Sequence, residues 1–328
     1  MDDLPERVLQ TIGGPAAVAR LASLSASDFT SLMLEVARRR AARETPASVL
    51  RRYRADRFVE PAGSQWQLLR IAEDRLAAHL PPGTELLTLA PLVPLGTHAV
   101  LGPMSQDKVV TAMRAVEVAA DPTNALALEA AVRRRASGPG AMVRLAAFQR
   151  VVRALRPPPG YLPHFSLLGL VTAGRDDGGH RFERVAVAEH ARSLVAGLSA
   201  AGLSAAQLAV TPLSPAGETI AAALPAELAD TPVTVVLDRE RQAGRNYYRD
   251  LCFKLNVAVG GPAGREQSGS RAGAERAEVG DGGCTDWTAR LTASGKERLL
   301  ISGVGIDRVV VLAAGGGGEF RPRADGGG

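Results

Sequence analysis

The apolar β-like runs of this chain follow one another in groups, and the helical stretches fall between the groups. Residues 143–155 and 165–171 are separated only by a rigid turn, Pro157-Pro158-Pro159-Gly160. Residues 233–237 are followed by a second run over 247–259, and 299–301 lead into a Gly-rich turn. This order is not the alternation of single strands and helices that builds a parallel sheet. It predicts an α+β fold, with a largely antiparallel sheet flanked by helices.

The helical stretches divide the chain. Val8, Ile12, Ala17, Val18 and Leu21 recur at helical spacing, as do Phe29, Leu32, Met33, Leu34 and Val36. Residues 1–45 therefore read as a helical N-terminal extension, with Ser27 the expected N-cap before Asp28. Residues 46–312 form the core. A long amphipathic helix over 64–80 presents Trp66, Leu69, Ile71 and Leu76, and Pro81-Pro82-Gly83 stops it. A strand is expected from Glu85 towards Pro91. Asp121-Pro122-Thr123 opens a further helix, with Pro in the first turn and Asp or Thr able to cap. Residues 182–201 are another helix, and 309–312 continue as strand or helix. Residues 260–283 read as a flexible Gly-rich loop, and 313–328 as a disordered tail.

Composition narrows the class. With 328 residues, 46% hydrophobic and 22% charged, the chain can bury most of its apolar surface as a soluble globular protein. Two cysteines exclude a disulfide framework. Only three of the 39 basic residues are lysine, so the sequence pI of 9.7 reflects arginine usage and names no partner. Aromatics total 4%, too few for an interleaved nucleic-acid face. The N-terminus is acidic and no long uncharged apolar stretch occurs, so no membrane association and a cytoplasmic location are expected.

Several segments could carry chemistry. Gly303-Val-Gly305-Ile-Asp307-Arg308 follows a strand; it lets backbone approach a ligand with Arg308 on an anion, or it is a turn whose arginine pairs with Asp307. Arg153 and Arg156, three apart beside a hairpin, could clamp a phosphate or simply decorate a surface. Tyr247 and Tyr248 should point to opposite sides of a strand, one into the core and one into a pocket. His164 reads as structural. His79, His98, His180 and His190 show no metal-ligand spacing, so no metal site is expected. Cys284 has no neighbouring base in the sequence.

Taken in order, these segments resemble the catalytic core of class II aminoacyl-tRNA synthetases, most closely the histidyl enzymes, over roughly residues 64–312. The helix to Leu80 and the strand to Pro91 resemble motif 1, which implies a homodimer. Residues 153–174 resemble the motif 2 hairpin, with its arginines on Arg153 and Arg156 and glycines on Gly160, Gly169 and Gly174. Gly305-Ile-Asp-Arg308 resembles motif 3, whose arginine meets the ATP γ-phosphate. Gly244 with Tyr247-Tyr248, and Gly282-Gly283 with Asp286, resemble two segments peculiar to the histidyl enzymes. Asp121-x-Thr123 resembles the pair that holds a substrate amino group. The resemblance thus assigns a nucleotide to Arg153, Arg156, Arg308, Gly303 and Gly305, and an amino acid to Asp121, Thr123, Tyr247 and Tyr248. It implies ATP, with Mg2+ if ATP binds.

The departures from the family pattern are as informative. Leu155 replaces the motif 2 acid, Leu167 and Val171 replace the Gln and Glu that position histidine and adenylate, and Ala243 replaces the arginine that stabilises charge during adenylation. Loss of such a group removes about 3 kcal/mol of transition-state stabilisation. Only a short tail follows the motif 3 segment, so neither an anticodon-binding domain nor a tRNA partner is expected, and no catalytic residue is assigned. The expectation is a regulatory or sensor paralogue that binds a nucleotide or amino acid, with a partner enzyme as a further candidate. The alternative is a small ATP-dependent ligase that adenylates a non-histidine amino or carboxylic acid. A structural dimer whose arginines merely pair with carboxylates is the third reading.

Overall fold

The computed structural model describes residues 5–138, 140–154, 162–176, 178–242, 244–259 and 276–315. Four helices open the chain: α1 (Glu6–Ile12), α2 (Pro15–Ala22), α3 (Ala26–Ala41) and α4 (Pro46–Ala55). Together they bury a single residue, Ala17. The cap of α3 is Ser25, not the expected Ser27. The Ser25 hydroxyl accepts the Asp28 N–H at 3.1 Å, and Ser27 already lies inside the first turn. Next comes α5 (Trp66–Ala77), which packs Ala72 and Leu76 inward and leaves Trp66 69% exposed.

The expected strand from Glu85 is broken in two. Only β1 (Glu85–Leu86) joins the main sheet, while β2 (Leu92–Pro94), beyond Pro91, enters a small sheet. Proline lacks the N–H that a continuous ladder needs. After α6 (Thr97–Leu101), the small sheet is completed by β3 (Thr111–Ala112) and β4 (Val116–Val118), in the order β2-β4-β3. Helix α7 (Pro122–Ala136) follows, then the long hairpin of β5 (Val143–Val152) and β6 (His164–Arg175). The remainder is α8 (Arg181–Ala200), β7 (Ala206–Pro212), α9 (Pro215–Glu227), β8 (Val233–Leu237), β9 (Arg249–Ala258), β10 (Arg276–Thr285), α10 (Trp287–Thr292), β11 (Glu297–Gly305) and α11 (Ile306–Ala313).

Eight strands form the main sheet in the order β1-β5-β6-β11-β10-β9-β7-β8. Every pairing from β5 through β7 is antiparallel; only the edge strands β1 and β8 pair in parallel. The fold is therefore α+β with the antiparallel sheet that the grouped strands predict. Residues 276–283, read from sequence as part of a loop, are instead most of β10, an interior strand. Its Gly-rich composition is a packing requirement: a Cβ on Gly283 would lie 2.6 Å from the Tyr248 ring. The expected loop over 260–275 and tail over 316–328 lie outside the described residues.

Helices cover both faces of the sheet. The larger core cluster joins α5, α8, α9 and α11 to one face through residues such as Leu76, Leu194, Ile220, Phe253 and Ile306. The smaller cluster joins α6, α7 and α10 to the other face through Leu101, Leu126, Leu145, Val171, Trp287 and Ile301. The start of α7 lies almost on the sheet, since a Cβ on Gly169 would meet Pro122 Cγ at 2.7 Å. This close approach brings Asp121 and Thr123 to the strand ends.

Candidate functional site

A cavity of about 470 Å³ opens on the α7 and α10 side of the sheet. It is lined by Asp121, Thr123, Arg153, Tyr247, Tyr248, Gly303, Gly305 and Arg308, which the chain order scatters over nearly 190 positions. Arg156, Leu155 and Ala243 lie outside the described residues.

Asp121 both caps α7 and faces the cavity. Its Oδ1 accepts the Thr123 N–H at 2.9 Å and the Thr123 hydroxyl at 2.7 Å. Its Oδ2 lies 3.4 Å from Arg153 Nη2. Arg153 also donates from Nε to Ala120 O at 3.2 Å and sits over the Phe165 ring, 5.1 Å from its centroid. Its guanidinium is thus fixed on three sides by protein.

Arg308 differs. It is exposed and makes no hydrogen bond or ion pair among the described residues. The pairing with Asp307 allowed by the sequence does not form. Asp307 is buried, accepts the Ser166 N–H at 2.7 Å and the Ser64 hydroxyl at 3.1 Å, and lies 3.8 Å from Arg150. The Gly-rich segment is also not a turn. Strand β11 runs through Gly305 and passes straight into α11, with Gly305 at φ −77°. Residues 309–312 are therefore helical.

The tyrosines precede β9 rather than alternating along it, and both line the cavity. Their ring centroids are 4.3 Å apart, and Tyr247 also stacks on Trp287 at 5.9 Å. The Tyr247 hydroxyl donates to Tyr248 Oη at 3.3 Å, and Tyr248 donates to Asp281 Oδ2 at 3.2 Å. Arg241 Nη2 donates to the same oxygen at 3.3 Å. Burial pushes the Asp281 carboxyl up against the pull of Arg241. Burial also pushes both phenols well above their usual range, so they remain protonated donors.

Asp281, His98 and Trp287 were not singled out by sequence reasoning for this site. A bulge between Glu278 and Gly280 lets Val279 pack in the larger core while Asp281 turns to the cavity. The only available signal was a lone acid within a Gly-rich run. His98 is fully buried. Ala120 N–H donates to its Nε2 at 2.9 Å, so Nδ1 carries the proton towards Glu117 Oε1 at 2.6 Å. Glu117 also accepts the backbone N–H groups of Gly96 and His98. Burial would raise the Glu117 carboxyl, but these bonds together hold it below the usual range. The pair thereby anchors the segment that carries Asp121. Trp287 Nε1 is buried without a hydrogen-bond partner among the described residues.

The other sequence candidates lie elsewhere. His164 accepts from Arg150 Nε at 2.9 Å, and its Nε2 donates to Glu60 O at 2.7 Å, a structural tie. Cys284 is buried in β10, and burial pushes its thiol well up, so it is not a reactive thiol. Asp286 pairs with Arg249 at 2.9 Å, away from the cavity.

Chemically, the arrangement sets a guanidinium with no partner among the described residues at the rim, a carboxylate at a helix start, and an aromatic floor whose two phenols hydrogen-bond in series towards Asp281. Leu167 also lines the cavity, which gives that wall no polar group.

No protein-family model matches this chain, and no curated protein matches its sequence. Solved structures do resemble it. Apo histidyl-tRNA synthetase from S. aureus aligns with TM-score 0.58 at 14% identity, over 81% of this chain and 72% of that one. An ATP phosphoribosyltransferase regulatory subunit/histidyl-tRNA synthetase from Bacillus halodurans aligns with TM-score 0.57 at 15% identity, over 78% and 83%. A histidine–tRNA ligase subunit from Alicyclobacillus acidocaldarius aligns with TM-score 0.54 at 14% identity, over 78% and 96%. At 14–15% identity the likeness is one of fold: the antiparallel sheet flanked by helices is shared with these class II aminoacyl-tRNA synthetase-like structures.

Proposed function

We propose that this chain is a histidyl-synthetase-like paralogue that binds a nucleotide, an amino acid or both as a regulatory or sensor subunit, and that it does not ligate tRNA. The contrast between the two cavity arginines carries this reading. Arg308 has no partner among the described residues and can take an anion, whereas Arg153 is already held by Asp121, Ala120 O and the Phe165 face. A guanidinium without a described partner suits recognition of a phosphate, with Mg2+ alongside if the nucleotide is ATP. Leu167 lines the cavity where an imidazole would need a polar partner, and an unpaired buried N–H costs about 1–3 kcal/mol. Ala243 stands where the family has its adenylation arginine.

The likeness to the B. halodurans protein supports a partner enzyme as the recipient of the signal. The exposed Trp66, Leu68 and Ile71 of α5 support a homodimer through that helix. Among the described residues no helix is long and apolar enough to cross a membrane, and this reading places the protein in the cytoplasm.

A second reading, an ATP-dependent ligase for a non-histidine amino or carboxylic acid, is favoured by one observation. Both arginines share one cavity with Asp121, so a nucleotide and an ammonium group have adjacent binding groups. A thermal-shift screen of ATP, AMP and the amino acids, singly and in pairs, should give a clear shift. Ligand at 100 times its dissociation constant stabilises by about 2.7 kcal/mol. ATP–pyrophosphate exchange then separates the readings. Binding without exchange supports the sensor. Exchange dependent on a non-histidine acid supports the ligase. Histidine-dependent exchange, or no shift with any of these ligands, overturns both.

A further inference from the structure

We propose that Asp176, His180 and Glu183 form a binding site for a divalent transition-metal ion at the end of the sheet remote from the cavity. Asp176 directly follows β6, His180 is the residue before α8, and Glu183 lies in the first turn of that helix. One ligand-capable atom from each lies within 4.8 Å of the others. The cavity residues Phe165 and Leu167 sit at the opposite end of β6. Nine residues of extended strand separate Leu167 from Asp176, about 30 Å. The site is independent of the proposed function.

Two unsatisfied oxygens are the second observation. Glu183 is 2% exposed, and its Oε2 has no hydrogen-bond partner among the described residues. Asp176 Oδ1 is likewise buried and unpartnered. The other Glu183 oxygen, Oε1, is taken by Arg298 Nε at 3.1 Å. Arg298 thus fixes the carboxylate and leaves Oε2 for a single further bond. Two buried carboxylate oxygens that accept no hydrogen bond from the described residues, beside an imidazole, are an unfavourable arrangement in the absence of a shared cation or proton.

The donor set indicates the kind of ion. One imidazole and two carboxylates suit Zn2+ or a neighbouring first-row ion, whereas Mg2+ prefers oxygen alone. Ligands about 2.0–2.1 Å from a tetrahedral ion stand roughly 3.3 Å apart, so from within 4.8 Å the three side chains would close by about 1.5 Å at most. His and Glu three apart at a helix start project the same way, which provides the spacing that sequence reading did not recognise. This proposal departs from the sequence expectation of no metal site. The positive end of α8 and Arg298 both oppose a cation, and the two carboxylates offset them. An ion here would tie β6 to α8.

The test uses the full chain after EDTA treatment and desalting, titrated with ZnCl2 in a calorimeter. One equivalent should bind saturably, and the melting temperature should rise with Zn2+ but not with equal Mg2+. Two variants guard against misfolding. His180 has φ +55°, a region where glycine is at ease, so His180→Gly should melt no lower than the parent without metal. It should weaken Zn2+ binding ten-fold or more. Glu183→Gln relieves the carboxylate repulsion and should likewise lose Zn2+ binding while staying folded. Absence of saturable one-to-one binding would overturn the proposal and leave a proton shared by the two acids. Binding that survives both variants would overturn it as adventitious surface binding.

Discussion

Asp121 and Arg153 meet at 3.4 Å across 32 positions of sequence, and that one contact joins a helix cap to a strand end. The same carboxylate satisfies Thr123 through its other oxygen. A single side chain therefore serves α7 and the cavity together.

The two roles of Asp121 can be separated. Asp121→Asn keeps an N-cap acceptor and should change stability by only a few tenths of a kcal/mol, while losing the charge offered to an ammonium group. Asp121→Ala removes the cap as well and should cost about 1 kcal/mol. Urea unfolding together with thermal-shift titration of the amino acid that binds best distinguishes them. Equal stability in the two variants would show that the cap contributes nothing.

Arg308→Ala should weaken ATP binding by at least ten-fold, because a charge-assisted hydrogen bond contributes about 1.5–3 kcal/mol. Stability should stay within about 0.5 kcal/mol of the parent, since the side chain has no partner to lose among the described residues. Calorimetric titration with ATP checks this, and an unchanged affinity would remove Arg308 from the site.

The dimer proposed through α5 should resist dilution to micromolar concentration. Trp66→Glu combined with Ile71→Arg places charge on its exposed face and should yield monomers by light scattering. A parent that is already monomeric would defeat the interface.

Stability should depend on pH through His190. Its Nδ1 meets the Ser302 hydroxyl at 2.8 Å and its Nε2 the Thr172 hydroxyl at 2.9 Å, in full burial. Burial, with Arg144 nearby, lowers its pKa from 6.5 to about 3. The folded state therefore refuses a proton that the unfolded chain accepts. Above pH 6.5 the group has no effect, and stability falls as pH drops through the window from 6.5 to about 3. At pH 5 the loss is about 2 kcal/mol. Urea unfolding at pH 7.5 and pH 5 measures it, and His190→Gln should flatten the difference.

Much of this architecture was legible. The hairpin of β5 and β6 announced itself through two apolar runs around one proline turn, and the antiparallel sheet followed. Asp121-Pro-Thr marked the start of α7. What escaped notice was set by tertiary contact. The glycines of β10 look like a loop in one dimension, yet they are small because the Tyr248 and Phe253 rings press on them. Asp281 was hidden in that run, and its orientation depends on a bulge that no local pattern reveals. His98 and Glu117 are 19 apart, with nothing in their spacing to say that they meet. The edge strand β1 spans two residues, too few to predict a parallel partner.

The two faces of the sheet bear unequal burdens. The larger apolar cluster, under α5, α8, α9 and α11, holds most of the fully buried large side chains and reaches the cavity only through Leu168 and Val279. Folding is thus underwritten from the rear. Residues that front the cavity are released from that duty and can be exchanged while the scaffold persists. A lineage can shed one chemistry and acquire another on such a protein without passing through an unfolded ancestor. Leu167, at the cavity wall beside a sheet that keeps its register, is one such position.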